Sequence, residues 1–78
     1  MWSRLYRNHA MIPCPTFDTA SASWVPQVAI SWWEDVSRRF EFVEFPDRVT
    51  SEEEAVRCAL ARAETWVDHR LGGISERS

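Results

Sequence analysis

Only one segment of this 78-residue chain repeats its apolar residues with a helical period. In "TSEEEAVRCALARAETWVDHRLGG", Val56, Ala59, Leu60, Ala63, Trp66, Val67 and Leu71 recur three and four positions apart, which puts them on one face of a helix. Thr50 with Glu53, or Ser51 with Glu54, has the spacing of a capping box, and three glutamates complement the positive end of the helix dipole. Gly72 and Gly73 supply the stop. The helix is expected over 50–71. A single helix covers one face of a sheet, so any sheet made by the rest of the chain has a second face that it cannot reach.

Three upstream stretches read as strands. "HAMIPCPTF" (9–17) is extended, because Pro13 and Pro15 exclude a helix. Two positions apart, both prolines lack an N–H on the same side, which suits an edge strand. "DTASAS" (18–23) is a turn-rich connection. In "WVPQVAISWW" (24–33), Val28, Ile30 and Trp32 alternate with Gln27, Ala29, Ser31 and Trp33. "EDVS" (34–37) is a hairpin connection without the glycine of the tightest turns. "RRFEFVEF" (38–45) is the third strand. Phe40 and Phe42 share one face and Val43 and Phe45 the other, which implies a bulge or two partly buried faces. Residues 1–8 are a lead-in and 74–78 a polar tail. The expected fold is a single α+β domain over 1–78. It is a three-stranded antiparallel meander (9–45) with one C-terminal α-helix packed on one face, in the order β-β-β-α.

Trp32 and Trp33 must point to opposite faces of that sheet. Trp32 travels with Val28 and Ile30, the more apolar row, and is assigned with Phe40 and Phe42 to the helix side. Trp33 falls on the open face with Ala29, Ser31 and, across the hairpin, Val43 or Phe45. The chain holds five tryptophans, more than so small a core readily hides, and tryptophan is enriched at interfaces as well as in cores. Trp33, Val43, Phe45 and Trp24 are therefore the candidate interface. Either a second copy or another protein covers this face, or the N-terminal segment with Trp2, Leu5 and Tyr6 folds back over it.

Charge limits the partners. The net charge is −3 and all nine basic residues are arginine, which removes lysine chemistry and disfavours non-specific binding to phosphate backbones or anionic membranes. Arg38 and Arg39, with Arg4 and Arg7, beside Trp33 and Phe45, give a faint pattern for single-strand nucleic-acid stacking. Glu34, Asp35, Glu41 and Glu44 oppose it. No stretch has the length of a membrane span, and the first residues lack a signal peptide's apolar run. The expectation is a soluble cytoplasmic protein with reduced thiols.

No catalytic, cofactor or metal site is expected. Cys14, Cys58, His9 and His69 lack the close paired spacings of a metal site, and no base is placed beside either cysteine. Cys58 falls off the apolar stripe with Glu54, Ala61 and Thr65, so a Cys14–Cys58 disulfide is not expected. Asp68 lies at the wrong end of the helix for its charge. It is expected to form a structural ion pair with Arg70, or with Arg38 or Arg39.

"FPDRVTSEEEAVRCALARAETWVDHRL" resembles small bacterial proteins of unknown function in which an aromatic strand end leads into a T-x-E-E-A helix start and a late W-[VI]-D motif. The matching residues are Phe45, Thr50, Glu53, Glu54, Ala55, Trp66, Val67 and Asp68. "WVPQVAISW" is similar to their central strand, so the resemblance covers roughly residues 24–71. Some of these proteins are labelled HlyU-type, which implies transcriptional activation. The resemblance implies the same β-β-β-α order and carries over no catalytic residue. The run "FPDRVTS" is longer here than in that family. The reading the residues favour is a non-enzymatic interaction or regulatory module, self-associating as a homodimer or joining another protein. The alternative is a nucleic-acid-binding transcriptional regulator.

Overall fold

Two tight turns lay out the sheet. A computed structural model describes residues 3–72, with strands β1 (Arg4–Tyr6), β2 (His9–Pro13), β3 (Thr16–Asp18), β4 (Ser23–Val25), β5 (Gln27–Glu34) and β6 (Ser37–Glu44), then helix α1 (Glu52–Arg70). Arg7 and Asn8 both have positive φ (49° and 66°) between the paired Tyr6 and His9, the geometry of a type I′ turn. Asp35 (φ 58°) turns the chain between Glu34 and Ser37. Asparagine and aspartate tolerate this region better than most residues, which is why neither hairpin needs glycine.

The strands form two antiparallel sheets: one of four strands in the order β1-β2-β5-β6, and one of two, β3-β4. This replaces the expected three-stranded meander within the same α+β class. Residues 1–8 were read as a lead-in with no strand, but the Arg7–Asn8 turn folds residues 4–6 back as β1. The stretch 9–17 is two strands, interrupted around Cys14 and Pro15. Cys14 donates its N–H to the Gln27 carbonyl at 2.9 Å, so the alternate residue Pro13 turns its nitrogen away from β5. That side lies past Met11, the last partner of β1, where no donor is needed. The stretch 24–33 is likewise split at buried Pro26. There β4 diverges to bridge Val49, while the Pro26 carbonyl accepts from the Phe45 N–H at 3.0 Å.

The helix begins as its sequence dictates, with Ser51 as the N-cap. Its Oγ accepts the Glu54 N–H at 3.1 Å, and Glu54 Oε1 accepts the Thr50 hydroxyl at 3.1 Å. Gly72, at φ 97°, ends it and donates its N–H to the His69 carbonyl. The buried stripe is Ala55, Val56, Ala59, Leu60, Ala63 and Val67, with Trp66 packed at its border. Leu71, expected on that stripe, is exposed because the helix has already ended.

The helix lies over β2 and β5 and reaches β1 and β4. Residues paired directly across an antiparallel sheet share a face, so the register assigns the sides. Met11 opposite Ile30, and Val28 opposite Val43, look toward the helix, and Met11, Ile30, Val28 and Val67 are fully buried there. Tail residues 74–78 and Trp2 lie outside the described residues.

Candidate interaction surface

Among the described residues, nothing covers the large apolar side chains on the other face of the four-stranded sheet. Two rows cross it. Leu5, Ala10, Ser31 and Phe40 are paired in sequence from β1 to β6, and Ile12, Ala29 and Phe42 make the next row. Leu5 is 72% exposed, Phe40 70%, Trp33 66%, Phe42 58% and Ile12 47%. Small side chains occupy the middle of both rows and large ones their ends. The face thus has a trough at Ala10, Ser31 and Ala29, flanked by Ile12 on β2 and Trp33 on β5, with a phenylalanine ridge along β6. A hollow of about 210 Å³ opens in the trough, lined by Leu5, Ala10, Ser31, Trp33 and Arg38 among others. Arg38 donates to Ser31 Oγ at 3.2 Å, and its guanidinium lies 5.6 Å from the Trp33 ring and 5.2 Å from that of Phe40.

Trp33 therefore stands on the open face, and Trp32 on the helix side, as their alternation requires. The other candidates change places. Phe40 and Phe42 belong to the open face, since they pair with Ser31 and Ala29. Val43 pairs with Val28 on the helix side, and Phe45 is buried in the core just past the end of β6. No bulge is involved, because β6 pairs with β5 through eight consecutive residues. Trp24 is also removed from this surface: it sits in β4, edge-on to Phe17, and bridges Val49. Residues 4–6 extend the sheet as β1 instead of folding over it, leaving Leu5 on the open face.

Behind the sheet, a polar cluster ties the first hairpin to the end of the helix. Asp68 does not pair with Arg70, Arg38 or Arg39. It accepts from Arg7 Nη1 at 2.6 Å and from the Tyr6 hydroxyl at 3.0 and 3.1 Å. The bond from Arg7 holds the Asp68 carboxyl below the usual carboxylate range, with burial opposing it and the Tyr6 hydroxyl adding to it. The same bond to Asp68 raises Tyr6. Arg70 instead lies over Trp32, 4.2 Å from the ring centroid, and its Nε–H donates to His9 Nε2 at 3.1 Å. Because an arginine can only donate, His9 Nε2 accepts. Nδ1 then carries the proton and donates to the Arg7 carbonyl at 2.8 Å. His9 is buried and stacked on Trp32 at 5.1 Å. Trp32 Nε1 is buried without a hydrogen-bond partner.

Both cysteines are free, Cys14 exposed and Cys58 half-buried. Burial, and next the neighbouring Asp47 carboxylate, push the Cys58 thiol up, away from thiolate reactivity. Arg62 holds Asp47 with contacts of 2.8 and 3.0 Å. Among the described residues no three histidine, cysteine or acidic side chains gather as a metal site, and no helix is long and apolar enough to cross a membrane.

Asp68→Asn removes a carboxylate whose pKa is depressed by folding. Such a group stabilises the fold above its unfolded pKa of about 3.9, and that contribution is lost as pH falls through the lower folded value. The variant is expected to be less stable than wild type at neutral pH. Its unfolding midpoint should also fall less between about pH 6 and about pH 2. Residual acid sensitivity remains from Asp18 and Asp47, which are shifted the same way by Ser21 and Arg62. Parallel wild-type and variant curves over that range would dismiss the Arg7–Asp68 anchor.

No protein-family model matches the chain, and neither the curated proteins nor the solved structures compared with it give a match.

Proposed function

We propose that this chain is a non-enzymatic interaction module that self-associates by packing the open faces of two sheets together. The observation that carries this reading is the contiguous set of Leu5, Ile12, Trp33, Phe40 and Phe42 on a face whose opposite side is already occupied by the helix. Under a two-fold axis, the β6 ridge of one copy enters the β2–β5 trough of the other, and the reverse contact follows by symmetry. Strands of three, five, eight and eight residues, at about 3.3 Å per residue and about 4.8 Å apart, give a projected area of about 380 Å². That is of the same order as the roughly 800 Å² per partner in interfaces of standard size. Polar groups sit at the ends of the face, with the Gln27–Glu44 pair at one and Arg38 at the other, leaving an apolar centre inside a polar rim.

A second reading is single-strand nucleic-acid binding, in keeping with the HlyU-type resemblance. The guanidinium of Arg38 between the exposed Trp33 and Phe40 rings favours it, since bases stack on such platforms. The net charge of −3 weighs against it.

The solution mass of wild type and of Trp33→Ser across a concentration series tests the first reading. A wild-type dimer is expected, with the variant a folded protein that dissociates at markedly higher concentration. Dimerisation should persist or strengthen in high salt, whereas nucleic-acid binding weakens steeply. Two monomers with the same unfolding midpoint would set self-association aside.

A further inference from the structure

We propose that the cleft between the Arg7–Asn8 turn, the end of β5 and the last turn of α1 binds a small planar carboxylate. The cleft has a volume of about 470 Å³, within the span of about 300–1,000 Å³ typical of small-molecule sites. Arg7, His9, Trp32, Trp33 and Arg70 are among its walls, and no lining residue is acidic. The receptor group is Arg70. Stacking on Trp32 and the bond from Nε to His9 fix the plane of its guanidinium. Those contacts engage one of its five N–H donors, and among the described residues no carboxylate pairs with it. The terminal nitrogens thus keep the fork geometry that takes a carboxylate through two parallel bonds.

The surrounding charges permit an anion here. Asp68, the nearest acidic residue in sequence, is neutralised by Arg7 and the Tyr6 hydroxyl. The helix C-terminus brings partial negative charge, which is reduced because the Val67 and His69 carbonyls accept from Leu71 and Gly72. Trp33, which is exposed, supplies a flat wall for a ring, while Trp32 is covered by Arg70 and His9 and serves to hold the guanidinium. Asn8, Trp32 and Trp33 line both this cleft and the hollow on the open face, while Arg70 and His9 line the cleft alone. Failure of binding therefore leaves self-association standing, and the reverse also holds.

The test titrates the full chain with 2-naphthoate and, separately, with the uncharged 2-naphthamide, following the Arg70 Nε–H and tryptophan indole N–H signals by NMR. Saturable binding is expected with Kd on the order of 1 mM, the range open to a ligand of about thirteen non-hydrogen atoms. The amide, and the variant Arg70→Gln, should bind at least about tenfold more weakly, and Arg70→Lys should fall between. Equal binding of acid and amide would overturn the site. So would unchanged affinity in a folded Arg70→Gln, shifts confined to Ile12, Phe40 and Phe42, or no saturation with the acid. The amide comparison uses the wild type, so it decides the matter even where Arg70→Gln fails to fold.

Discussion

Ile30→Ala is expected to remove about 2–5 kcal/mol of stability, the range for truncating a buried aliphatic side chain. At about 0.05–0.15 kcal/mol per residue, a 78-residue chain has only about 4–12 kcal/mol in total. Ile30 is fully buried at the middle of β5, paired with Met11, under the helix. Its neighbours cannot close the space easily. β5 is held by a strand on each side, and the alanines at 55, 59 and 63 already leave no exposed surface over the sheet. With a urea slope of about 1 kcal/mol/M for a chain this small, the midpoint should fall by about 2 M or more at constant slope. Phe40→Ala on the neighbouring strand removes a larger side chain. It should nevertheless cost within about 0.5 kcal/mol in a dilute sample of monomer, because that ring faces solvent. Equal losses for the two would mean that the faces of β5 and β6 had been exchanged.

The contrast between Ile30 and Phe40 also shows where the sequence was informative. The period of two in 27–33 places Ile30 and Trp32 on one side and Trp33 on the other, and the helical period with its cap sets α1 to within two residues. Both signals are local. The face of β6 is not local: "RFEFVEF" is apolar at both parities, so only the register with β5 decides between Phe40–Phe42 and Val43–Phe45. That register is set by the two-residue turn at Asp35 and Val36, which carries no glycine to mark it. The phenylalanines were therefore placed on the wrong side. β1 was missed for a similar reason, since its type I′ turn is written Arg-Asn and not Asn-Gly. The two splits, at Pro15 and Pro26, had a visible signal in the prolines themselves.

The polar cluster was hidden by the same long-range pairing. Asp68 looked for a cation within its own helix or on the β5–β6 hairpin. Its partners, Tyr6 and Arg7, arrive from more than 60 residues away only because β1 and its turn exist. Once Arg7 takes Asp68, Arg70 is left to Trp32 and His9. The burial of His9 follows from its place in β2 opposite Tyr6, on the helix side of the sheet. The missed strand thus accounts for both the failed ion pair and the unforeseen cleft.

Ala29→Glu should abolish self-association while leaving the monomer folded. Ala29 lies between Ile12 and Phe42 in the second row, at the floor of the trough that the opposing ridge is proposed to fill. In a monomer the introduced side chain extends from a solvent-facing position, and the stability change should stay within about 0.5 kcal/mol. In the proposed dimer the two-fold axis brings two such carboxylates into the dry centre. An unpaired buried charge there costs about 3–5 kcal/mol, so the dissociation constant should rise by at least about a hundredfold. Sedimentation equilibrium measures this directly, with chemical unfolding as the check on the monomer. A folded monomer, set beside the milder effect of Trp33→Ser near the rim, would locate the interface on this face and grade it from centre to edge. A variant that remains a dimer would remove the face from consideration. It would point instead to the unpaired outer edge of β6, where Phe42→Pro removes an N–H donor directed away from β5 and should then break the assembly.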